Sequence, residues 1–181
     1  MLRISGGEAR GRRLKGPRGL DFRPTTGRVK EFIFSIIGPD IRNAVVLDLF
    51  SGSGSLGIEA LSRGADHVTF IEQLKSHIQI LEENLSTCRF QDRSRVIKGE
   101  VFRTLDYLGR QEIQFDFILA DPPFKMAMRS RIVESVGKNH LLSQGGELII
   151  EHQFNDADSD PKKVKMIRQR KFGHCMVSVY E

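Results

Sequence analysis

Short apolar runs alternate with amphipathic segments along this chain from residue 44 onward. A continuous apolar run is typical of a buried strand, and apolar residues three or four positions apart are typical of a helix with one buried face. The predicted strands are Ala44–Phe50, His67–Glu72, Arg95–Lys98, Phe115–Ala120 and Glu147–His152. The predicted helices are Leu56–Arg63, Leu74–Leu85, Phe102–Leu108 and Ser130–Val136. This regular alternation predicts a mostly parallel sheet with helices on both faces.

The end of the chain departs from this alternation. An acidic, turn-rich connection over 155–161 precedes two runs of strand character, Val164–Arg170 and Met176–Tyr180, on either side of Gly173. Two strands joined by a short glycine turn predict an antiparallel pair. Together with the five strands above, the pair completes a sheet of seven strands over a single α/β domain, residues 41–181.

The first 40 residues form an extension ahead of this domain. Apolar residues recur at helical spacing from residue 29 to residue 37, and Gly38-Pro39 ends that helix. We expect its apolar stripe to pack on the domain and Arg28 and Lys30 to face outward. Before this helix, frequent glycines and prolines exclude a continuous helix, so a short hairpin or an adaptable loop is expected.

The composition is that of a folded domain. The 181 residues are 39% hydrophobic and 28% charged, and no apolar run approaches the ~20 residues of a spanning helix. Without an apolar signal segment at the start, we expect a cytoplasmic protein. Cys88 and Cys175 form no CxxC pair, and the five histidines show no metal-ligand spacing. We therefore expect neither a disulfide framework nor a metal.

The positive charge is concentrated in the extension. Residues 1–31 carry nine basic and three acidic side chains, whereas the remaining 150 residues sum to −1. A cationic arm on a nearly neutral body favours a polyanionic partner such as RNA, because neutralised phosphates release counterions. The alternative is a solvated tail. The candidate phosphate contacts are Arg10, Arg12, Arg13, Lys15, Arg23, Arg28 and Lys30.

A glycine-rich loop follows the first predicted strand of the domain. In a parallel sheet, ligands bind beyond the carboxyl ends of the strands, where Asp48 and the loop Ser51-Gly52-Ser53-Gly54 would lie. The pattern G-x-G-x-x-G also fits a dinucleotide, but Asp48 would repel a pyrophosphate and attract an ammonium. S-adenosylmethionine (AdoMet) carries an ammonium and no phosphate. The glycines permit close approach, and helix amides can receive its carboxylate.

Two further carboxylates follow neighbouring strands. Glu72 can accept hydrogen bonds from both ribose hydroxyls of AdoMet, and Glu100 can accept one from the adenine amine. Two alternatives remain at this point: a nicotinamide-dependent oxidoreductase, and a simple tight turn whose serines cap the next helix.

The segment Asp121-Pro122-Pro123-Phe124 follows the fourth predicted strand. Two prolines fix the backbone and remove two N–H donors, so the corner presents acceptors. Asp121 and the Pro122 carbonyl can each accept one hydrogen from an exocyclic amine while Phe124 stacks on the base. Because both hydrogens are held in this way, the lone pair of the amine nitrogen points toward the methyl group of AdoMet. The alternative is a rigid proline turn with Phe124 buried.

Three motifs together resemble the bacterial 16S rRNA guanine-N2 methyltransferases of the RsmD type. They are Arg23-Pro-Thr-Thr-Gly-Arg-Val-Lys-Glu, Asp48-Leu-Phe-Ser-Gly-Ser-Gly-Ser-Leu-Gly and Asp121-Pro-Pro-Phe, and the resemblance runs nearly from end to end. It implies a Rossmann-like class I methyltransferase that acts as a monomer. The implied methyl donor is AdoMet, and the acceptor is a guanine amine in 16S rRNA, in the small subunit or its assembly intermediate.

By the same resemblance, Asp121–Phe124 form the catalytic loop, and Asp48, the Ser51–Gly54 loop and Glu72 hold the cofactor. Asp-Ala is typical of the family at the position of Glu100-Val101. The side chain of Glu100 is longer than that of aspartate, so it must fold back to reach adenine. Asp-Pro-Pro-Phe alone also resembles adenine-N6 and glutamine-N5 methyltransferases. A non-catalytic RNA-binding module is a further alternative.

Overall fold

The structure is a computed structural model that describes residues 2–16, 27–123, 128–153 and 164–181. Arg23 and Phe124, as well as the connection predicted over 155–161, lie outside the described residues. The helices are α1 (Gly27–Ile37), α2 (Ser55–Ser62), α3 (Lys75–Cys88), α4 (Val101–Arg110) and α5 (Met128–Lys138), with short 3-10 turns at Gly38–Ile41 and Gln91–Arg93. The strands are β1 (Leu2–Arg3), β2 (Arg13–Leu14), β3 (Val45–Leu49), β4 (His67–Glu72), β5 (Ser94–Lys98), β6 (Phe115–Ala120), β7 (Leu142–Gln153), β8 (Met166–Phe172) and β9 (Cys175–Tyr180).

Seven of these strands form one sheet in the order β5-β4-β3-β6-β7-β9-β8. The five strands from β5 to β7 are parallel, and β9 is antiparallel to both β7 and β8. The predicted α/β fold with a terminal antiparallel pair is confirmed. The strand order reverses at β3, which lies between β4 and β6, so a ligand crevice is expected beyond the carboxyl end of β3.

Helices cover both faces of the sheet. Neighbouring residues of a strand point to opposite faces, so Val46 packs with α1, α2 and α3 while Leu47 packs with α4 and α5. The strands are apolar on both sides because both faces are buried. None of the helices in the described part of the chain is long and apolar enough to span a membrane.

The β7 strand begins earlier than the sequence predicts. Gly145 and Gly146 are predicted to be a turn before a strand at Glu147, but they lie inside β7. Leu142 pairs with Phe115 and Glu147 pairs with Phe117, so the register shifts between these two pairs. The glycines accommodate this irregularity: Gly145 has φ of +76°, and a Cβ on Gly146 would lie 2.9 Å from the carbonyl oxygen of Phe115.

The extension packs on the domain. β1 and β2 form an antiparallel pair, which is the hairpin form predicted for this segment. Ile4, Ala9 and Leu14 are buried in the same apolar cluster as residues of α1, α2 and α3. The segment 2–16 therefore shares the core of the α/β domain.

The prediction that Lys30 faces outward is wrong. Lys30 is only 3% exposed, and its Nζ lies 2.9 Å from Oε2 of the fully buried Glu59. A buried carboxylate requires a cation, and the helical spacing of α1 places Lys30 opposite Glu59. Burial raises the pKa of Glu59, but the Lys30 charge and hydrogen bonds from Ser5 outweigh it and hold that pKa below its usual value. Lys30 is thus unavailable to phosphate.

Candidate active site

Three predicted carboxylates, Glu72, Asp48 and Asp121, lie at the carboxyl ends of adjacent strands β4, β3 and β6. Asp48 is 2% exposed and Glu72 is 6% exposed, whereas Asp121 is half-buried. Burial raises the pKa of Asp48 to about 8; the Gly57 N–H lowers that pKa, and the charges of Asp121 and Glu72 raise it further. Asp121 and Glu72 are therefore close enough to act on Asp48 in the crevice where the strand order reverses.

Asp48 also fixes the start of α2. Its Oδ2 accepts a hydrogen bond from the backbone N–H of Gly57, over a distance of 2.9 Å. A Cβ on Gly57 would lie 2.3 Å from the ring of Phe70 and 2.9 Å from that same Oδ2. The third glycine of the motif is thus required by the close approach of α2 to the sheet.

The glycine loop bends sharply between β3 and α2. Phe50, Gly52 and Gly54 have φ of 56°, 54° and 79°, in the left-handed region that favours glycine. A Cβ on Gly54 would also lie 2.3 Å from Leu81. The predicted loop residues Ser51, Gly52, Ser53 and Gly54 are all buried.

Glu72 shapes both the glycine loop and the turn before α3. Its Oε2 accepts from the backbone N–H of Gly52 at 2.9 Å, and its Oε1 accepts from the N–H groups of Gln73 and Leu74 at 2.8 and 2.9 Å. Both carboxylate oxygens are therefore held in place by the backbone. Oε1 already receives two N–H donors and Oε2 receives one, so Oε2 is the more open acceptor for a further donor, such as a ribose hydroxyl.

Glu100 has a structural role in this conformation. It is the N-cap of α4, and its Oε2 accepts from the backbone N–H of Arg103 at 2.9 Å. Its side chain folds back onto its own helix. The contact of Glu100 with adenine stays a prediction.

Asp121 follows the last residue of β6, Ala120, which pairs with Leu49 on one side and Ile150 on the other. Pro122 is buried and Pro123 is exposed, so the proline corner leads from the core to the surface. Burial raises the pKa of Cys175 to about 11, with Glu151 and Asp121 adding to the rise. Asp121 thus acts electrostatically on both Asp48 and Cys175, the first residue of β9. Phe124 lies outside the described residues, so its stacking on the base stays a prediction.

Asn84 of α3 is a residue that sequence reasoning missed. It is 1% exposed, and its Nδ2 donates to the carbonyl oxygens of Ser53 and Lys15, both at 2.9 Å. Its Oδ1 accepts from the N–H of Lys15 at 2.8 Å. The sequence feature that could have pointed to Asn84 is its polar amide on the otherwise apolar stripe of α3, between Leu81 and Leu85. Asn84 joins the glycine loop to the N-terminal extension.

The predicted cations of the extension have different surroundings. Arg10, Arg13 and Arg28 are exposed. Arg12 donates to the carbonyl oxygen of Thr87, and Nζ of Lys15 lies 2.8 Å from Glu83 on α3. Both of these contacts tie the extension to α3.

The described residues contain no cluster of three or more His, Cys, Asp and Glu side chains that could hold a metal ion.

The family model described as "Conserved hypothetical protein 95" matches residues 2–181. The chain belongs to this family. It is the RsmD family that the sequence motifs resemble. Ribosomal RNA small subunit methyltransferase D of Escherichia coli is 32% identical to this chain, over 100% of this chain and 90% of that protein. The counterpart of the same name from Haemophilus influenzae is 31% identical, over 99% and 93%.

Solved structures agree with this RsmD assignment. The E. coli protein yhhF has a TM-score of 0.87 and 33% identity, covering 99% of this chain and 96% of that one. A SAM-dependent methyltransferase from Agrobacterium tumefaciens has a TM-score of 0.66 and 17% identity, over 91% and 64%. These similarities confirm the predicted class I methyltransferase fold.

Proposed function

We propose that this chain transfers a methyl group from AdoMet to the exocyclic N2 of a guanine in the 16S rRNA of the small ribosomal subunit. The observation that carries the proposal is the row of three carboxylates at the reversal of strand order, in a chain of the RsmD family. Relatives over 30% identical along the whole chain are named ribosomal RNA small subunit methyltransferase D.

AdoMet fits the charges of the crevice. The charged groups acting on the buried Asp48 are Asp121 and Glu72, both acidic, so a cationic ligand is favoured there. Asp48 and the Ser51–Gly54 loop would hold the amino acid portion of AdoMet, and Glu72 would accept from the ribose hydroxyls. When bound, AdoMet supplies a methyl carbon that is activated by the neighbouring sulfonium.

Asp121 and the carbonyl oxygen of Pro122 orient the acceptor in this proposal. Each accepts one N–H of the guanine N2, so that the nitrogen lone pair points at the methyl carbon. As the N–C bond forms, the C–S bond breaks and its electron pair stays on sulfur. The proton that N2 then loses passes to the Asp121 carboxylate and on to solvent. Phe124 would stack on the guanine ring.

The extension and its cations contribute affinity for rRNA. Arg10, Arg13 and Arg28 are exposed and available to phosphates, and Arg12 and Lys15 are exposed residues of the extension that contact α3. Lys30 is excluded by its pairing with Glu59. We further propose that the chain works as a cytoplasmic monomer on the small subunit or its assembly intermediate.

The decisive experiment uses tritiated AdoMet with small subunits from a strain that lacks this methylation. The labelled rRNA is digested to nucleosides and analysed by mass spectrometry. Labelled N2-methylguanosine supports the proposal. Labelled N6-methyladenosine, labelled methylglutamine in protein, or no transfer to subunits and naked 16S rRNA would each contradict it.

A further inference from the structure

A second basic surface lies on the edge strand β8. Its exposed cations are Lys165, Arg168, Arg170 and Lys171, and no acidic residue occurs from position 164 to position 175. Along the strand, Arg170 and Phe172 point to the face of the sheet that carries α1, and Lys171 points to the opposite face, so the cations lie on both sides of this open edge. We call these four residues, with Phe32 and Phe172, the β8 surface. The net charge of residues 32–181 does not reveal this surface, because acidic residues elsewhere in that part of the chain balance its four positive charges.

The β8 surface reaches the same edge of the sheet as Asp121. Phe172 pairs with Cys175, and Cys175 pairs with Gln153 at the carboxyl end of β7. Arg170 and Lys171 therefore lie at the end of β8 nearest the candidate active site. Three strand spacings of about 4.8 Å separate β6 from β8, or about 14 Å along the sheet. An RNA whose base enters the active site can reach this distance with a few nucleotides.

Aromatic rings hold Arg170 in position. Its guanidinium carbon lies 4.7 Å from the ring centre of Phe32 on α1 and 5.4 Å from that of Phe172. The two rings contact each other, with centroids 4.9 Å apart. Cation–π contacts of this kind order a side chain that would otherwise be mobile. Arg28 is exposed one helical turn before Phe32, so the extension contributes a cation to the same side.

Protection of an exposed edge strand is the competing explanation. Charged side chains prevent a sheet edge from pairing with another chain, but charges of either sign serve that purpose. Every charge on β8 is positive. Burial raises the pKa of Glu147, and the charge of Arg168 lowers it. Glu147 therefore compensates part of the Arg168 charge, at the end of β8 remote from Asp121. The charge nearest the active site is that of Arg170 and Lys171.

We propose that the β8 surface binds the ribose-phosphate backbone of the rRNA next to the target nucleotide. The inference rests on the proposed function for the identity of the RNA. Arg170 and Lys171 each contact a phosphate, and release of counterions from these phosphates supplies the affinity.

The test measures binding of a 16S rRNA fragment as a function of salt for Arg170→Gln/Lys171→Gln. The expected result is a fall of about 1.4–1.8 in the slope of log affinity against log salt, because each phosphate contributes about 0.7–0.9. The AdoMet dissociation constant stays within twofold of the wild-type value. The matched control is Arg95→Gln/Arg110→Gln, which removes the same charge and includes an exposed residue of the opposite edge strand β5.

Several results would overturn the inference. An unchanged slope would do so, and so would an equal fall in the control, which would indicate a long-range field rather than contacts. If loss of the Arg170 stack unfolds the double variant, Lys171→Gln alone must lower the slope by about 0.7–0.9. Failure of the wild-type chain to form N2-methylguanosine refutes the proposed function alone, because the slopes are measured without turnover.

Discussion

The carboxylates at the carboxyl ends of the strands differ in their burial and in their hydrogen bonds. Asp48 and Glu72 are buried and accept hydrogen bonds from backbone N–H groups of the glycine loop and its surroundings. Asp121 is half-buried on a proline corner. Hence substitution of Asp48 or Glu72 disturbs the loop as well as the ligand, whereas substitution of Asp121 tests chemistry more directly.

The variant Asp121→Asn is expected to lose activity without losing the cofactor. The amide keeps the size of the side chain but gives up one carboxylate acceptor and the negative charge opposite the developing positive charge on nitrogen. We expect kcat to fall by about 10²–10³, with the AdoMet dissociation constant within a few-fold of wild type. Methyl-transfer kinetics and calorimetry check this, with the exposed Asp92→Asn as control. Near-normal kcat would contradict the role of Asp121.

Asp48 makes stability depend on pH. Its pKa is raised to about 8 in the folded chain from a reference value of 3.8. The folded state therefore keeps a proton that the unfolded state loses, and this contribution to stability is present below about pH 4 and lost as pH rises toward 8. Urea unfolding of the AdoMet-free protein at pH 5 and pH 8 should show a larger drop for wild type than for Asp48→Asn. Equal drops would contradict the raised pKa.

At the scale of elements, α3 connects the glycine loop to the extension through Asn84. We expect Asn84→Ala to lower the free energy of unfolding by about 2–4 kcal/mol, because three hydrogen bonds are lost and the carbonyl oxygen of Ser53 stays buried. The affinity for AdoMet should fall as well, since the loop loses its support at Ser53. Urea titration and calorimetry measure the two effects.

The control for Asn84 is Asn139→Ala. Asn139 donates from its Nδ2 to Asp106 and to the carbonyl oxygen of Ser135, on the helices α4 and α5 that cover the other face of the sheet. The Asn139→Ala variant should be less stable than the wild type but should bind AdoMet with the same affinity. An equal loss of AdoMet affinity in both variants would show that Asn84 acts through general stability.

Elements with a strong local pattern were predictable from the sequence. The bounds of β4 and β6 agree with those predicted, because each is a short, mostly apolar run. The placement of Glu72, Asp48 and Asp121 at one edge of the sheet followed from their positions at the carboxyl ends of predicted parallel strands. Contacts between distant segments were not predictable: the pairing of Lys30 with Glu59, the irregularity in β7 and the position of Asn84 depend on packing that no local pattern encodes.

At the scale of the whole molecule, the extension keeps cations such as Arg10 and Arg13 exposed although its apolar residues are buried. Deletion of the extension would remove Ile4, Ala9 and Leu14 from the core, so its charge is better tested by substitution. We expect Arg10→Gln/Arg13→Gln to reduce the salt slope of rRNA binding by about 1.4–1.8. AdoMet affinity and the unfolding midpoint should stay close to wild type. A slope equal to that of wild type would show that these arginines contact no phosphate.

The contacts of Glu59 have a consequence for synthesis of the chain. Its partners Ser5 and Lys30 precede it by 54 and 29 positions, so translation reaches them well before it reaches Glu59. At about 5–20 residues per second, Ser5 waits roughly 3–11 s for its acceptor. During that interval Ser5 and Lys30 lack the carboxylate of Glu59. These residues therefore reach their native contacts only after α2 has emerged from the exit tunnel.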